Sequence, residues 1–329
     1  MHFVKARCPA GLFHWCMPLL FSLLVSGCAA FAPQSSELHA TLPPGLPLSA
    51  EIRDVPYFAQ TEYHCGPAAL AMALNSAGAR TTPQQLIEQV YLPGRKGSLQ
   101  IEMLAAARRN GMVAYVLAPQ IGDVLLEINA GTPVITLENY GAPYVPIWHY
   151  SVAIGFDIHR AEIIRHSGTL ERKASPLSVF EYFWGQVNHW AMVAVPPDRV
   201  PITATEQRYA EAVIALEKAG QPQRAALAYD ALLKRWPKNL AALIGRGNTA
   251  YARGDLALAE AAFRQASLTH TDSVAALNNL AQTLLDRGKL TEARATAEHA
   301  VKLGGPLRDS AQATLSEIQK KQQVTGGTP

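Results

Sequence analysis

Val55-Pro56-Tyr57-Phe58-Ala59-Gln60-Thr61-Glu62-Tyr63-His64-Cys65-Gly66-Pro67-Ala68-Ala69-Leu70-Ala71-Met72 is the stretch on which the fold turns. From Pro67 to Ala77 the chain is rich in Ala and Leu with no internal Gly or Pro, which predicts a helix. Pro67 suits its first turn, where the missing N–H has no intrahelical acceptor in any case. Cys65 therefore falls at a helix N-terminus. Unpaired N–H groups and the helix dipole favour an anion there, and a thiol attacks a carbonyl as its thiolate, so this position is expected to raise the reactivity of Cys65. Five residues upstream, Gln60 can offer its side-chain amide, which with the Cys65 backbone N–H would make an oxyanion hole for a tetrahedral intermediate.

A nucleophilic thiol needs an imidazole to take its proton and return it to the leaving amine. Of the ten histidines, His149 is the best placed: Trp148-His149-Tyr150-Ser151-Val152-Ala153-Ile154-Gly155-Phe156-Asp157 sets it at the start of an apolar strand. His64, adjacent to Cys65, projects in another direction. His189, just before Trp190, is the alternative base, and His166 is a candidate for a supporting role.

Around these residues, helical patterns run from Pro83 to Tyr91 and from Leu99 to Asn110, the second ended by Gly111. Strand patterns follow at Val113–Leu117, Pro133–Leu137, Tyr150–Phe156, Glu162–Arg165 and Trp190–Val195. Helices first and strands later predict an α+β domain on an antiparallel sheet. The Gln-x4-Cys-Gly-Pro-Ala-Ala run and the His-aromatic-x-Val-x-x-Gly-aromatic-Asp run resemble the C39 peptidases of the papain-like superfamily, and the C39-like proteins that lack a transporter. The resemblance implies Gln60 as oxyanion donor, Cys65 as nucleophile and His149 as base, in the family order of Cys before His. That family commonly places an Asp some sixteen residues past the His, in an Asn-Asp-Pro-like turn. Arg165-His166-Ser167-Gly168 stands there instead. The group that orients the imidazole is thus open between Asp157, His166 and Ser167. Asp157, the nearest Asp, is carried as a site candidate, although it falls in the turn after the His149 strand, where a hairpin role competes.

Upstream, Lys5 and Arg7 precede an apolar run from Gly11 to Ser26, the pattern of an export signal. Val25-Ser26-Gly27-Cys28 resembles the lipobox of bacterial lipoproteins, which implies a signal peptide over residues 1–27, lipid on Cys28 and a membrane-held, periplasm-facing protein, with Ala29 resembling outer-membrane sorting. Cys8 and Cys16 would leave with the signal, so Cys65 would be the one free thiol and could form no internal disulfide. Residues 28–50, rich in Pro, Ser and Ala, read as a tether to a peptidase domain over residues 51–198.

After a linker at residues 199–205 the composition turns to Ala, Leu, Arg and Glu. Gly220, Gly254 and Gly288 recur every 34 residues, as do Ala225, Ala259 and Ala293, and Tyr229, Phe263 and Ala297. This period resembles the tetratricopeptide repeat. Three copies, starting at Glu206, Leu240 and Val274, and a capping helix make an all-α solenoid over residues 206–322, expected to fold independently, with a tail at residues 323–329. Val213 and Ala297 depart from the repeat pattern. The resemblance implies a protein partner on the repeat surface.

Lys5 and Arg7 are two of 29 basic residues set against 26 acidic ones, so without them the chain is near neutral and nothing points to nucleic acid. No metal-ligand spacing and no phosphate-cradling loop occurs, so no cofactor or metal is expected. The reading is a thiol peptidase, or related amide-bond hydrolase or acyl transferase, acting on a peptide or protein. A non-catalytic peptide-binding or assembly lipoprotein is the alternative.

Overall fold

The computed structural model describes residues 32–60, 63–142 and 144–326. The export signal and Cys28 lie outside them. The chain begins with α1 (Pro33–Ala40) and β1 (Ser49–Glu51), followed by three helices, α2 (Cys65–Ser76), α3 (Pro83–Val90) and α4 (Gln100–Arg109). A two-stranded hairpin, β2 (Tyr91–Leu92) and β3 (Gly97–Ser98), lies between α3 and α4. Then come β4 (Val113–Val116), α5 (Ile121–Asn129), β5 (Val134–Asn139), β6 (Trp148–Asp157), β7 (Glu162–Ser167), β8 (Leu170–Pro176), α6 (Leu177–Gly185) and β9 (Ala191–Val195). The sheet is antiparallel in the order β4-β9-β5-β6-β7-β8, so the expected α+β class is what forms.

α2 is the central helix. Every residue from Gly66 to Leu74 is buried, because its Ala, Leu and Met side chains leave no polar face. It packs on β6, α3 and the β2–β3 hairpin, and the approach to the hairpin is close: a Cβ on Gly66 would lie 2.4 Å from Ser98 Oγ. Only its two ends, Cys65 at the start and Asn75 and Ser76 at the finish, are partly open to solvent. α3 is fixed by a reciprocal cap, in which Gln85 N–H donates to Thr82 Oγ1 and Thr82 N–H donates to Gln85 Oε1.

The segment read as a tether is ordered from Ala32 onward. The backbone N–H groups of Gln34 and Ser35, at the start of α1, donate to the two carboxylate oxygens of Glu181 at 2.8 and 2.6 Å. The Gln34 side chain bridges Pro119 and Ile121, and Leu38 is buried. β1 pairs with the far end of β6, over Gly155–Asp157, which β5 does not cover. Composition suggested a free linker because the anchors, polar at Gln34 and Ser35 and apolar at Leu38 and Leu46, follow no regular period.

Past β9 the chain is helical: α7 (Glu206–Lys218), α8 (Pro222–Arg235), α9 (Leu240–Ala252), α10 (Leu256–Thr269), α11 (Val274–Asp286), α12 (Leu290–Leu303) and α13 (Arg308–Gly326). Gly220, Gly254 and Gly288 sit at the turns between paired helices with φ of 80°, 79° and 75°, a conformation in which a side chain is strained. Asn239, Asp255 and Ser273 cap the helices that follow them. Gly245 and Gly247 admit the rings of Tyr229 and Phe263, which a Cβ would meet at 2.2 and 2.4 Å.

The first repeat helix packs into the core of the α+β domain. Tyr209, Val213 and Leu216 of α7 belong to the same apolar core as β4, β9 and α2. The Tyr115 and Tyr209 rings lie 6.4 Å apart, Thr205 N–H donates to Tyr115 Oη at 3.2 Å, and Thr203 donates twice to Glu127. A chain starting at Glu206 would expose this face. Val213, which breaks the small-residue pattern of the repeat, is fully buried in that shared core.

Candidate active site

Cys65 at the start of α2, Gln60 just upstream, and His149 and Tyr150 on β6 line one cleft of about 650 Å³. The opposite wall comes from the β2–β3 hairpin, with Arg95, Lys96 and Ser98, and from Ile147 and Trp148. Among the described residues Cys65 is the only cysteine and is unpaired.

Gln60 is held on three sides. Its backbone N–H donates to Gly168 O at 3.0 Å, its Oε1 accepts from Gly168 N–H at 2.9 Å, and its Nε2 donates to Tyr150 O at 3.2 Å. An amide carries two donor hydrogens, so one remains for the cleft that Gln60 lines with Cys65.

His149 is half-buried, and its Nε2 meets Ser167 Oγ at 2.9 Å. With Nε2–H donating to that hydroxyl, Nδ1 carries the free lone pair. The Tyr140 ring lies 5.4 Å from the imidazole at 32°. Behind it is a buried polar cluster: Glu138 accepts from Thr136 Oγ1 at 2.9 Å and Ser151 Oγ at 2.6 Å, and also from Tyr140 Oη and Arg165 Nη1. Arg165 reaches on to Ser175 at 3.1 Å. Glu138, His149, Ser151, Arg165 and Ser167 converge in one patch, with Glu138 directly across the β5–β6 ladder from His149.

The three open candidates for orienting the imidazole now separate. Ser167 touches it. His166, on the other side of the strand, turns away to Val55 O and Glu171 O and packs on the Tyr57 ring. Asp157 is eight residues along β6 from His149, roughly 26 Å at the rise of a strand, and its carboxylate accepts from Arg160 N–H in the β6–β7 turn. Asp157 is therefore a turn residue and not part of the site. Sequence proximity had suggested it, but a strand carries its two ends apart. His189, the alternative base, packs edge-on against Trp184 at 4.7 Å and does not line the cleft. His64 packs on Tyr91.

Burial works against the ionised form of both Cys65 and His149. Burial pushes the Cys65 thiol up, and backbone hydrogen bonds at Tyr150, Gly66 and Cys65 itself do not fully offset it. Burial likewise lowers His149, with Glu138 opposing and Arg165 and Lys173 assisting. Both shifts favour the uncharged forms, a thiol and a neutral imidazole lining the same cleft. Among the described residues no cluster of His, Cys, Asp and Glu could hold a metal ion, and no helix is long and apolar enough to cross a membrane.

Residues 52–192 match the model of the Peptidase_C39 like family, and residues 210–268 and 248–307 match that of the Tetratricopeptide repeat. The α+β domain thus resembles the C39-like family, and the helical region after it matches tetratricopeptide repeats. Among solved structures, a Bacillus anthracis protein assigned to the C39-like peptidases is similar at 18% identity and TM-score 0.38, over 45% of this chain and 97% of that one. The first tetratricopeptide domain of human RPAP3 is similar at 18% identity and TM-score 0.35, over 38% and 97%. The Yersinia enterocolitica type III secretion translocator chaperone SycD follows at 20% identity and TM-score 0.34, over 36% and 95%. No curated protein matches the chain.

Proposed function

We infer that the chain is a thiol peptidase, or a closely related amide-bond hydrolase, acting on a peptide or protein substrate. The observation that carries this is the convergence of Cys65, His149 and Gln60 on one cleft, with His149 held at Nε2 by Ser167. In the first step the neutral imidazole of His149 takes the Cys65 proton as sulfur attacks the scissile carbonyl. The oxyanion is received by the Gln60 amide and the Cys65 backbone N–H. The imidazolium then protonates the leaving amine, and water releases the acyl group by the same route in reverse. The repeats supply a surface for a protein partner. Lipid on Cys28 holds the protein at the periplasmic face of a bacterial membrane, probed by mass spectrometry of the mature chain: an unmodified Cys28 or a retained Met1 rules it out.

A thiol-reactive activity probe tests the enzyme. Labelling at Cys65 that is lost in Cys65→Ser and falls sharply in His149→Ala supports it, and Gln60→Ala is expected to cost on the order of 10²–10³ in kcat. The raised thiol and the lack of a carboxylate on His149 favour a second reading, a domain that binds a peptide without cutting it. Labelling indifferent to His149 would select that reading.

A further inference from the structure

The loop between β5 and β6 presents apolar side chains to solvent on a fixed backbone. Tyr144, Val145, Ile147 and Trp148 are between 54% and 87% exposed. Beneath them Asn139 Oδ1 accepts from Gly141 N–H and Ile147 N–H, both at 2.9 Å, and Tyr140 N–H donates to Ile147 O at 3.0 Å. A Cβ on Gly141 would run into Val145 O, so the turn closes only with glycine there. Single exposed apolar residues are ordinary on a protein surface, whereas a run of them held in place marks a contact surface.

This loop stands on α6. Asn139 Nδ2 donates to Oε1 of Gln186, the C-cap of that helix, at 3.2 Å, and the Tyr140 ring meets Phe183 edge-on at 4.9 Å. The same helix holds the start of α1 through the two Glu181 contacts described above. Glu181 and Gln186 are roughly 8 Å apart along the axis, so the base of the loop and the start of α1 are neighbours. Only Ala29, Ala30 and Phe31 separate Cys28 from the buried Ala32, a span of roughly 14 Å even when fully extended. A lipid on Cys28 would therefore hold α1, and with it α6 and the loop, close against the bilayer. Charge agrees with this placement. Arg95 and Lys96 line the cleft together with Ile147 and Trp148, and no carboxylate is among its described lining residues. Aromatic and aliphatic side chains beside cations suit the boundary between headgroups and acyl chains of an anionic phospholipid surface.

We propose that the loop carrying Tyr144, Val145, Ile147 and Trp148 docks on the phospholipid surface, so that the mouth of the cleft opens at the membrane. The assignment rests on the reading of Cys28 as the lipidated residue. Substrate then reaches Cys65 along the membrane plane, as a peptide lying on the lipid or emerging from it.

The test uses the mature lipoprotein with Cys65→Ser, reconstituted in vesicles of phosphatidylethanolamine and phosphatidylglycerol, so that an introduced cysteine is the one thiol open to labelling. An environment-sensitive fluorophore is placed at Val145→Cys and, in a separate sample, at Leu268→Cys, an exposed position on α10 of the repeats. The Val145 label is expected to shift to the blue and to lose most of its emission when spin-labelled lipid is added, and the Leu268 label to do neither. Tyr144→Cys, the most exposed of the four loop positions, repeats the measurement where Val145→Cys fails to fold. Loop labels that keep an aqueous spectrum while the chain floats with the vesicles, or quenching as strong at Leu268 as in the loop, overturn the docking and leave the anchor standing. A chain that does not float with the vesicles, or whose Cys28 is unmodified by mass spectrometry, overturns both.

Discussion

Replacing Glu138 by Gln changes one atom and should destabilise the domain severely. The carboxylate is fully buried, and Arg165, 2% exposed, has it as its ion-pair partner. Burial works to raise the Glu138 carboxyl, but the Arg165 charge and the hydrogen bonds from Arg165, Ser151 and Tyr140 hold it below the ordinary range, so it is ionised. A Gln in the same place can still accept from Thr136 and Ser151 through one oxygen. Its NH2 then faces Tyr140 Oη, which must turn to accept, and Arg165 Nη1, which is a donor too, and the guanidinium is left buried without a counter-charge. Removing one partner of a buried pair costs about 3–5 kcal/mol, a large share of the roughly 5–15 kcal/mol that holds a domain. Urea denaturation of wild type, Glu138→Gln, Arg165→Met and the double variant measures it. Each single change should lower stability by about 3–5 kcal/mol, and the double variant should lie at least ~2 kcal/mol above the sum of the single losses, since it removes the orphaned charge. A Glu138→Gln loss under ~1 kcal/mol, or strict additivity, would refute the argument that the pair is coupled.

Ser167→Ala removes the hydroxyl on His149 Nε2, a neutral contact worth about 1–2 kcal/mol of orientation, so turnover should fall roughly 5–30-fold with little change in KM. Because burial lowers His149, the neutral base is present at and above the ordinary His range and is lost only as pH falls through the lowered value, so the acid limb of the rate should lie below pH 6.5. A pH–rate profile with its acid limb above that value, or a Ser167→Ala variant of full activity, contradicts this assignment. In the repeats, Glu260, 9% exposed, joins Arg264, Arg287 and Lys289. Burial alone would raise it, but Lys289 and Arg264 hydrogen bonds and the Arg287 charge hold it at about 2. A carboxyl lowered this far from its ordinary 4.5 contributes stability that is present above about pH 4.5 and lost as pH falls through about 2. With partners 31–41% exposed, solvent screening leaves ~1–2 kcal/mol of it. Glu260→Gln should be less stable by that amount at pH 7, with the gap to wild type closing as pH falls to 2, and a gap independent of pH counts against it.

The parts of this architecture that were legible in the sequence are those set by local period and local chemistry. The Ala/Leu run after Cys65 could only be a buried helix, and the 34-residue glycines marked turns because each needs a left-handed backbone. β8 was missed, since Leu-Glu-Arg-Lys-Ala-Ser-Pro is mostly exposed and carries no apolar alternation. The wall of the cleft opposite Cys65 was missed too. Its one local sign was the Pro93-Gly94 turn, which does not announce that Arg95, Lys96 and Ser98 fold back over α2. Glu138 was invisible for another reason: a lone carboxylate in Val-Ile-Thr-Leu-Glu-Asn looks like an exposed strand position until Arg165, 27 residues on, arrives to pair with it.

The choice among Asp157, His166 and Ser167 shows most clearly what strand geometry adds. His149 and Ser167 meet because the β6–β7 ladder aligns Val152 with His166, which brings residue 167 back beside the start of β6. That same ladder bears on why a hydroxyl rather than a carboxylate can stand beside His149. Arg165, two residues before Ser167 on β7, is already neutralised by Glu138, so the patch holds one buried pair with its charges balanced. A second carboxylate at residue 167 would be a further anion in the patch, and it would raise the base that burial has lowered. Ser167 contacts the ring without adding charge, and in the proposed mechanism this leaves the imidazole neutral and able to accept the thiol proton.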